Sequence, residues 1–387
     1  MKAHAFLSAS GSKRWLACPP SAAFESQFKD KGSIFAAEGT DAHELAELYL
    51  RHRLGEITDV KFNAELHELQ NASEYYSPEM EDNVAVYVDT VMQKYAEAQK
   101  LTPDAMIIIE GKLDFSPWVP KGFGTGDAVI IADGRMEIID LKYGKGVPVS
   151  AEDNSQLRLY ALGAYNSFGL LYAVDAITTT IVQPRLDSIS SESLSLGKLL
   201  EWGEGVKGVA EMAIKGEGEF CAGKHCQFCK AAVRCKALAD YNLEIAQYEF
   251  AHADELNDED IADILSRADM ISKWLKAVSD YALDEAVNNS KVWLGYKLVE
   301  GRSNRIIVDR EAAVKKLKTN GFEDVYKPQE LKGITELEKL TGKKKFTELL
   351  AGLIDKPQGK PTLVPESDKR PVWQPENTVE EDFKEEI

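Results

Sequence analysis

No run of this 387-residue sequence approaches the roughly 20 consecutive apolar residues that a membrane-spanning helix requires. The N-terminus, Met1-Lys2-Ala3-His4-Ala5-Phe6, also lacks the long apolar core of a secretory signal. An intracellular protein with no membrane role is the expectation. Cysteine is scarce: five are present, an odd number, and four crowd between positions 221 and 235. That pattern argues against a secreted disulfide framework and for metal or cluster ligation. Positive charge is in deficit too. A net charge of -18 argues against a protein that coats nucleic acid through bulk electrostatics, because phosphate binding draws on Lys and Arg. No internal repeat is present.

What is present is enough apolar residue, 44%, to bury a full core, with one large domain and an accessory region expected. Acidic residues gather at 65–81, 254–263 and 376–386. Basic ones cluster around Lys224, Lys230, Arg234 and Lys236, and around Lys142, Lys145 and Arg158. An enzyme gripping one strand end in a narrow basic groove can carry such an acidic exterior. Helices are expected at 40–53, with Thr40 or Asp41 near the cap, at 75–99 and at 154–167. Strands are expected at 105–115, in a hairpin over 127–142, and at 176–182, where Thr178-Thr179-Thr180-Ile181-Val182 is strongly β-branched. The order helix, three strands, helix, strand predicts a mixed α/β core with helices packed on a central sheet. Beyond it, 238–250, 261–287, 310–318 and 337–353 read as helical, the last interrupted by Gly342. Residues 293–299 and 305–308 suggest a small hairpin. The expected division is a core at 1–245, a mostly helical accessory region at 246–355, and a flexible acidic, Pro-containing tail at 356–387.

The hairpin carries the chemistry. Asp133-Gly134 suits a two-residue type I′ turn between two Val- and Ile-rich runs. If Ala132 pairs with Arg135, Ile131 faces Met136, Val129 faces Ile138, and Asp127 falls opposite Asp140. Like charges directly opposed are destabilising unless something offsets them, and a divalent cation would. Lys142 points to the same face, because side-chain direction alternates. Oxygen ligands of this kind suit Mg²⁺ or Mn²⁺. An arbitrary Asp-X-Lys is far more often a surface salt bridge, and a one-residue bulge would break the register. Glu110, inside the apolar run Ile107-Ile108-Ile109, is a buried-acid candidate, and buried carboxylates usually need a partner or a metal. Gln156 and Tyr160 share a helix face four residues apart. His43, after Gly39-Thr40, is a lone histidine of the kind that is usually structural but can ligate metal.

Cys226, Cys229 and Cys235 supply three thiols in one short segment, and Cys18 could supply a fourth. Spacing alone favours a structural zinc, since Cys-X-X-Cys pairs are its common signature. Iron-sulfur clusters use equally short spacings. Cys221 is left over, and it or His225 could compete as a ligand.

Together, His43 after Gly39-Thr40, Gly126-Asp127, Asp140-Leu141-Lys142 with Gly144 following, Gln156-X-X-X-Tyr160, and an early Cys18 with a late Cys-X2-Cys-X5-Cys resemble the RecB-like branch of the PD-(D/E)XK nucleases. Within that branch the sequence is similar to the iron-sulfur members, such as the AddB nuclease domain and the CRISPR-adaptation nucleases, and to a phage and prophage group. The resemblance covers about residues 7–239. It implies a restriction-endonuclease-like core whose N- and C-terminal arms are joined by a 4Fe-4S cluster on Cys18, Cys226, Cys229 and Cys235. It also implies that Asp127 and Asp140 bind the catalytic metal with the Leu141 carbonyl, and that His43 ligates or supports a second ion. Lys142 would orient the attacking water, and Gln156 and Tyr160 would position Lys142 or the DNA backbone. Glu110 joins these as a candidate catalytic acid. Asp stands at position 140 where the family more commonly has Glu, and Cys221 and the long C-terminal region depart from the pattern.

The expectation is a Mg²⁺- or Mn²⁺-dependent DNA exonuclease of the bacterial cytoplasm, phage- or prophage-encoded, acting in replication or recombination. A single-strand-annealing or single-strand-binding protein could dock on the acidic tail. The alternatives are a non-catalytic DNA-end-binding or scaffold protein on the same fold, and a structural zinc protein with a coincidental Asp-X-Lys.

Overall fold

A computed structural model describes residues 5–28, 32, 34–244, 258–301, 305–327, 330–355, 359–365 and 371–374. The chain divides into two compact units, Met1–Met270 and Ile271–Ile387. Among the described residues, no helix is long and apolar enough to cross a membrane.

In the first unit, α1 (Ser12–Ala17), α2 (Ser21–Glu25), α3 (Ile34–Arg53), α4 (Asp59–Ala72) and α5 (Pro78–Leu101) precede β1 (Met106–Asp114), β2 (Phe123–Ala132) and β3 (Arg135–Leu141). Then come α6 (Ser155–Phe168), β4 (Ala176–Gln183), β5 (Ser188–Ser195), α7 (Leu196–Lys215) and α8 (Lys236–Leu243). The strands form one sheet in the order β1-β2-β3-β4-β5. Only β3 and β4 run parallel, and α6 is the crossover between them. The architecture is a mixed α/β fold with a central five-stranded mixed sheet flanked by helices.

Alternation along the strands sorts their side chains into two cores. Val129, Ile131, Met136, Ile138 and Ile181 pack with Leu157 and Tyr160 of α6 and Leu199 of α7. Ile130, Ile139, Leu141 and Val182 pack instead with Leu45 of α3 and Val84 and Tyr87 of α5. The inner strands are buried on both faces, which is why they read as unbroken Val and Ile runs. α5 starts where Ser77 accepts a hydrogen bond from the Met80 N–H and Pro78 takes the first turn.

Three local expectations are corrected. α3 begins at Ile34, so Thr40 and Asp41 lie inside it, and the Thr40 hydroxyl donates back to the Ala36 carbonyl at 3.0 Å instead of capping. The turn at Asp133-Gly134 keeps the expected Ala132–Arg135 pairing, but only Gly134 has positive φ, at 72°, so it is not type I′. The turn is pinned from outside: the Asp133 N–H donates to Thr102 Oγ1 at 3.0 Å, and the Gly134 N–H to the Tyr172 carbonyl at 2.9 Å. The third correction lies in the second unit.

The division between units falls within α9 (Asp258–Asn288). The second unit then holds β6 (Tyr296–Glu300), β7 (Ile306–Ile307), α10 (Arg310–Thr319), β8 (Tyr326–Lys327), β9 (Glu330–Leu331), α11 (Ile334–Thr341), α12 (Lys343–Leu349), β10 (Ile354–Asp355) and β11 (Pro361–Pro365). Leu317, Leu337, Phe346 and Leu350 centre its core. β6 pairs with β11 and β7 with β10, so residues 293–299 and 305–308 do not form a hairpin with each other. Part of the region expected to be a flexible tail is therefore ordered as β11. Its prolines are tolerated because every strand of a two-stranded sheet is an edge. The Trp373 N–H further donates to the Leu298 carbonyl at 2.7 Å. The acidic end at 376–386 lies outside the described residues.

α6 must lie close on β1 to present its polar residues to the sheet end. A Cβ at Gly163 would sit 3.0 Å from Leu113 Cβ and 3.1 Å from the Leu113 carbonyl carbon. Gly163→Val should therefore destabilise the protein by about 1–3 kcal/mol, read from urea unfolding, because it drives a wedge between helix and strand.

Candidate functional site

Strand register brings three acids together. Ile109 pairs with Ala128 and Gly111 with Gly126, which sets Glu110 opposite Asp127. Ala128 pairs with Ile139, and one step further on sets Asp127 opposite Asp140. Glu110, Asp127 and Asp140 thus form a row across three adjacent strands. The ladder is interrupted at this row: Glu110 takes a left-handed φ of 51°, and one Asp127 oxygen accepts the Leu141 N–H at 2.8 Å. A non-glycine residue in that conformation inside a strand is strained, and strain of this kind gathers at functional sites.

His43, carried by α3, meets the row at Asp127. Its Nδ1 lies 3.4 Å from Asp127 Oδ2. His43, Glu110 and Asp127 each offer one ligand atom, and these lie within 4.8 Å of one another. An imidazole with two carboxylates suits a hard divalent ion. The two directly opposed acids also need a cation between or beside them to relieve their repulsion.

Asp140 is engaged differently. It is 2% exposed, with Oδ2 lying 2.7 Å from Lys142 Nζ and Oδ1 accepting from Gln156 Nε2 at 3.2 Å. Gln156 Oε1 accepts from Lys142 Nζ at 3.2 Å, and Gln156 Nε2 also donates to the Tyr160 hydroxyl at 3.2 Å. One amide therefore ties the acid, the ammonium and the phenol together. Asn154 fixes where α6 begins, its side-chain oxygen accepting from the Gln156 and Leu157 N–H groups at 3.1 and 3.2 Å. Ser155 bonds Ser12 of α1 at 2.6 Å. Gly124 leaves room for the Tyr160 ring, since a Cβ there would lie 2.7 Å from its Cε1.

The charges settle unevenly. Burial opposes ionisation of Asp127, but His43, Lys142 and the Leu141 N–H outweigh it and hold the carboxyl below its usual range. Burial pushes Asp140 up; Lys142 pulls it down, Asp127 pushes it further up, and the net shift is upward. Burial would depress Lys142, yet Asp140 and Asp127 raise it, so it remains an ammonium. Burial would likewise depress His43, and Asp127 prevails to raise it to about 9. A metal ion taking His43 as a ligand must displace that proton.

Every residue expected at the site from sequence is therefore close to it. Asp127, His43 and Glu110 make the candidate ligand group, while Asp140 stands beside them on Lys142 and Gln156. Leu141 contributes its N–H to Asp127. Sequence analysis missed Tyr87, which is 1% exposed on α5 with a hydroxyl that has no hydrogen-bond partner among the described residues. Burial, then Asp127, Asp140 and Glu110, raise its pKa well above the ordinary value. Its only signal in the sequence is a tyrosine within the apolar stripe of α5.

All five cysteines and His225 line one cavity, and none is in a disulfide. Cys18 and Cys226 are buried and Cys221 exposed. The Cys221 N–H donates to Cys18 Sγ at 3.5 Å. Glu25 braces the cysteine segment, accepting from the Lys230 N–H at 2.7 Å and from Arg14 Nε at 2.6 Å. Burial, then Glu25, push the Cys229 thiol up to about 12, so ligation there must expel a proton. No three of these sulfurs lie within 4.8 Å of one another.

Two outcomes test this geometry. Glu110→Asn, which suits a left-handed φ, should stabilise the metal-free protein by about 1 kcal/mol in chemical denaturation with chelator present, while weakening Mn²⁺ binding in calorimetry. In metal-free protein the His43–Asp127 pair should stabilise fully below pH 6.5, the unfolded value, and its contribution should fade as pH rises through about 9. His43→Gln should remove that pH dependence from the stability profile.

Among solved structures, the chain is similar to one titled "Crystal structure of SSO0001", at 15% identity over 54% of this chain and 98% of that one. The TM-score is 0.24, too low to carry an argument. A family model described as "Protein of unknown function (DUF2800)" matches residues 4–371, nearly the whole sequence, and the chain belongs to that family.

Proposed function

We propose that this protein is a Mg²⁺- or Mn²⁺-dependent deoxyribonuclease of the RecB-like PD-(D/E)XK type, acting as an exonuclease in phage or prophage DNA replication or recombination. The observation that carries the reading is the row Glu110, Asp127, Asp140 beside a Lys142 ammonium held by both Asp140 and Gln156. A surface salt bridge needs neither burial nor a glutamine bridging both partners.

His43, Glu110 and Asp127 would hold the ion, with Asp140 beside it. A bound divalent cation acidifies a nearby water and offsets the charge of the scissile phosphate. Lys142 orients that water and stabilises negative charge developing on the phosphate, a role that depends on its Nζ being fixed in advance. Gln156 does the fixing, and Tyr160 holds Gln156. DNA is the substrate class, because this donor set with an ammonium fits phosphodiester hydrolysis.

Cys18, Cys226, Cys229 and Cys235 would hold a 4Fe-4S cluster. A tetrahedral zinc at about 2.3 Å from each sulfur would place the sulfurs about 3.8 Å apart. The cavity that all five cysteines line supports a group held by several thiolates, and the short Cys-X2-Cys-X5-Cys spacing suits a cluster as well as zinc. Such a cluster ties residue 18 to residues 226–235 and closes a very long loop.

The test is digestion of 5′- and 3′-labelled oligonucleotides with Mn²⁺. Wild-type protein should release product from one end, and Lys142→Ala should be slower by about a hundredfold or more. If neither single- nor double-stranded DNA is cut, or if Asp140→Ala protein behaves like wild type, the enzymatic reading fails. The same preparation should be brown, with iron and sulfide at four each per chain, and Cys229→Ser should lose the colour. Colourless protein carrying stoichiometric zinc would overturn the cluster assignment.

A further inference from the structure

The second unit has a charge character unlike the rest of the chain. Lys and Arg outnumber Asp and Glu from residue 289 to residue 374, in a protein whose net charge is -18. The excess is concentrated at one place. Lys315, Lys316 and Lys318 are exposed on the last turns of α10, and Lys344 and Lys345 are exposed on α12, which packs against it. None of the five forms an ion pair with a described residue, although Lys332 and Arg305 in the same unit are paired with Asp324 and Glu338. Lysines at a helix C-terminus also offset the helix dipole, but that interaction falls off within the last turn and does not account for those on α12.

Aromatic rings sit among these lysines. Lys318 Nζ lies 5.3 Å from the centre of the Tyr326 ring, and Lys345 Nζ lies 5.6 Å from that of Phe322. Tyr326 is 47% exposed. Phe322 lies between α10 and β8 and Tyr326 opens β8, so the ammonium groups of the two helices converge on this short stretch. Phe322 packs against the core of Leu317, Val325 and Phe346, whereas Tyr326 is not part of that cluster and leaves its ring open to a ligand.

Ammonium groups with no acidic partner, interleaved with an accessible aromatic face, match one kind of ligand. Phosphates take the charges, and an unstacked base takes the ring. We propose that the α10–α12 face of the second unit, centred on Lys316, Lys318, Tyr326 and Lys345, is a binding surface for single-stranded DNA. Duplex DNA offers the same phosphates without a free base face, so the tyrosine makes this surface favour single strands. The surface shares no residue with the carboxylate row and does not depend on the nuclease reading.

Fluorescence anisotropy with a labelled oligonucleotide tests it, using the full chain in EDTA so that hydrolysis is suppressed. Wild-type protein should bind single-stranded DNA with a strong salt dependence. The charge reversals Lys315→Glu, Lys316→Glu and Lys318→Glu together should weaken binding about tenfold or more and flatten the salt slope. Tyr326→Ala should weaken single-stranded binding by several-fold and leave duplex binding nearly unchanged. Matching Lys→Gln variants, which retain length and solubility, should lie between, and circular dichroism melting checks that all remain folded. Unchanged affinity and salt slope in the reversal variant would overturn the proposal. Competition by polyglutamate as effective as that by oligonucleotide would also overturn it, assigning the face to an acidic protein. Because binding is read without metal, loss of this surface and loss of the nuclease reading are distinguishable.

Discussion

Three carboxylates standing side by side on neighbouring strands are the constraint that the sheet end has to satisfy. Two unit charges about 5 Å apart repel by about 3 kcal/mol at an effective dielectric constant of 20. Stability margins of whole domains are only a few times larger. The fold therefore has to supply compensating charge at the row itself. His43 supplies it to Asp127 and Lys142 to Asp140, and each interaction shifts the proton affinity of both partners.

The surrounding architecture can be understood as the means of placing those two cations. His43 comes from α3, on the face packed by Leu45, Tyr87 and Ile139. Gln156, which holds Lys142, comes from α6 on the other face, packed by Leu157, Tyr160 and Ile138. The row is thus reached from both layers, and neither core alone would complete it. Small residues permit the approach: Gly163 lets α6 lie on β1, and Gly124 lets Tyr160 lie on β2. Arg185 extends the same logic toward the helix starts. Its guanidinium is almost fully buried, pairs with Glu38 at 2.8 Å and lies over the Tyr143 ring, so the segment after β4 is anchored to α3.

How much of this could be read from sequence depended on chain distance. The β2–β3 register was legible because a two-residue turn links two apolar runs, and the pairing survives even though Thr102 and Tyr172 impose a different turn type. Glu110 stood out as an acid inside an apolar strand, but it is half-buried and not buried as expected, and nothing marked it as Asp127's neighbour. The connection between β1 and β2 is longer and irregular, so nothing local fixes that register. β5 went unread because Ser188–Ser195 is a serine-rich edge strand with alternating exposure, held by β4 and not by its own propensity. α7 went unread because four glycines dilute its helical signal. One of them, Gly203, is required, since a Cβ there would meet Trp118 at 2.8 Å. α4 buries no residue at all and offered no apolar stripe.

The central claim is that the acid row is a cation site and not merely a compensated cluster. Anomalous diffraction from crystals soaked in Mn²⁺ tests it most directly. The account predicts a manganese peak at bonding distance from Glu110 and Asp127, with His43 turned toward it and Lys142 still on Asp140. A map with no peak at the row, or with manganese only on the exposed acids of the surface, would contradict it.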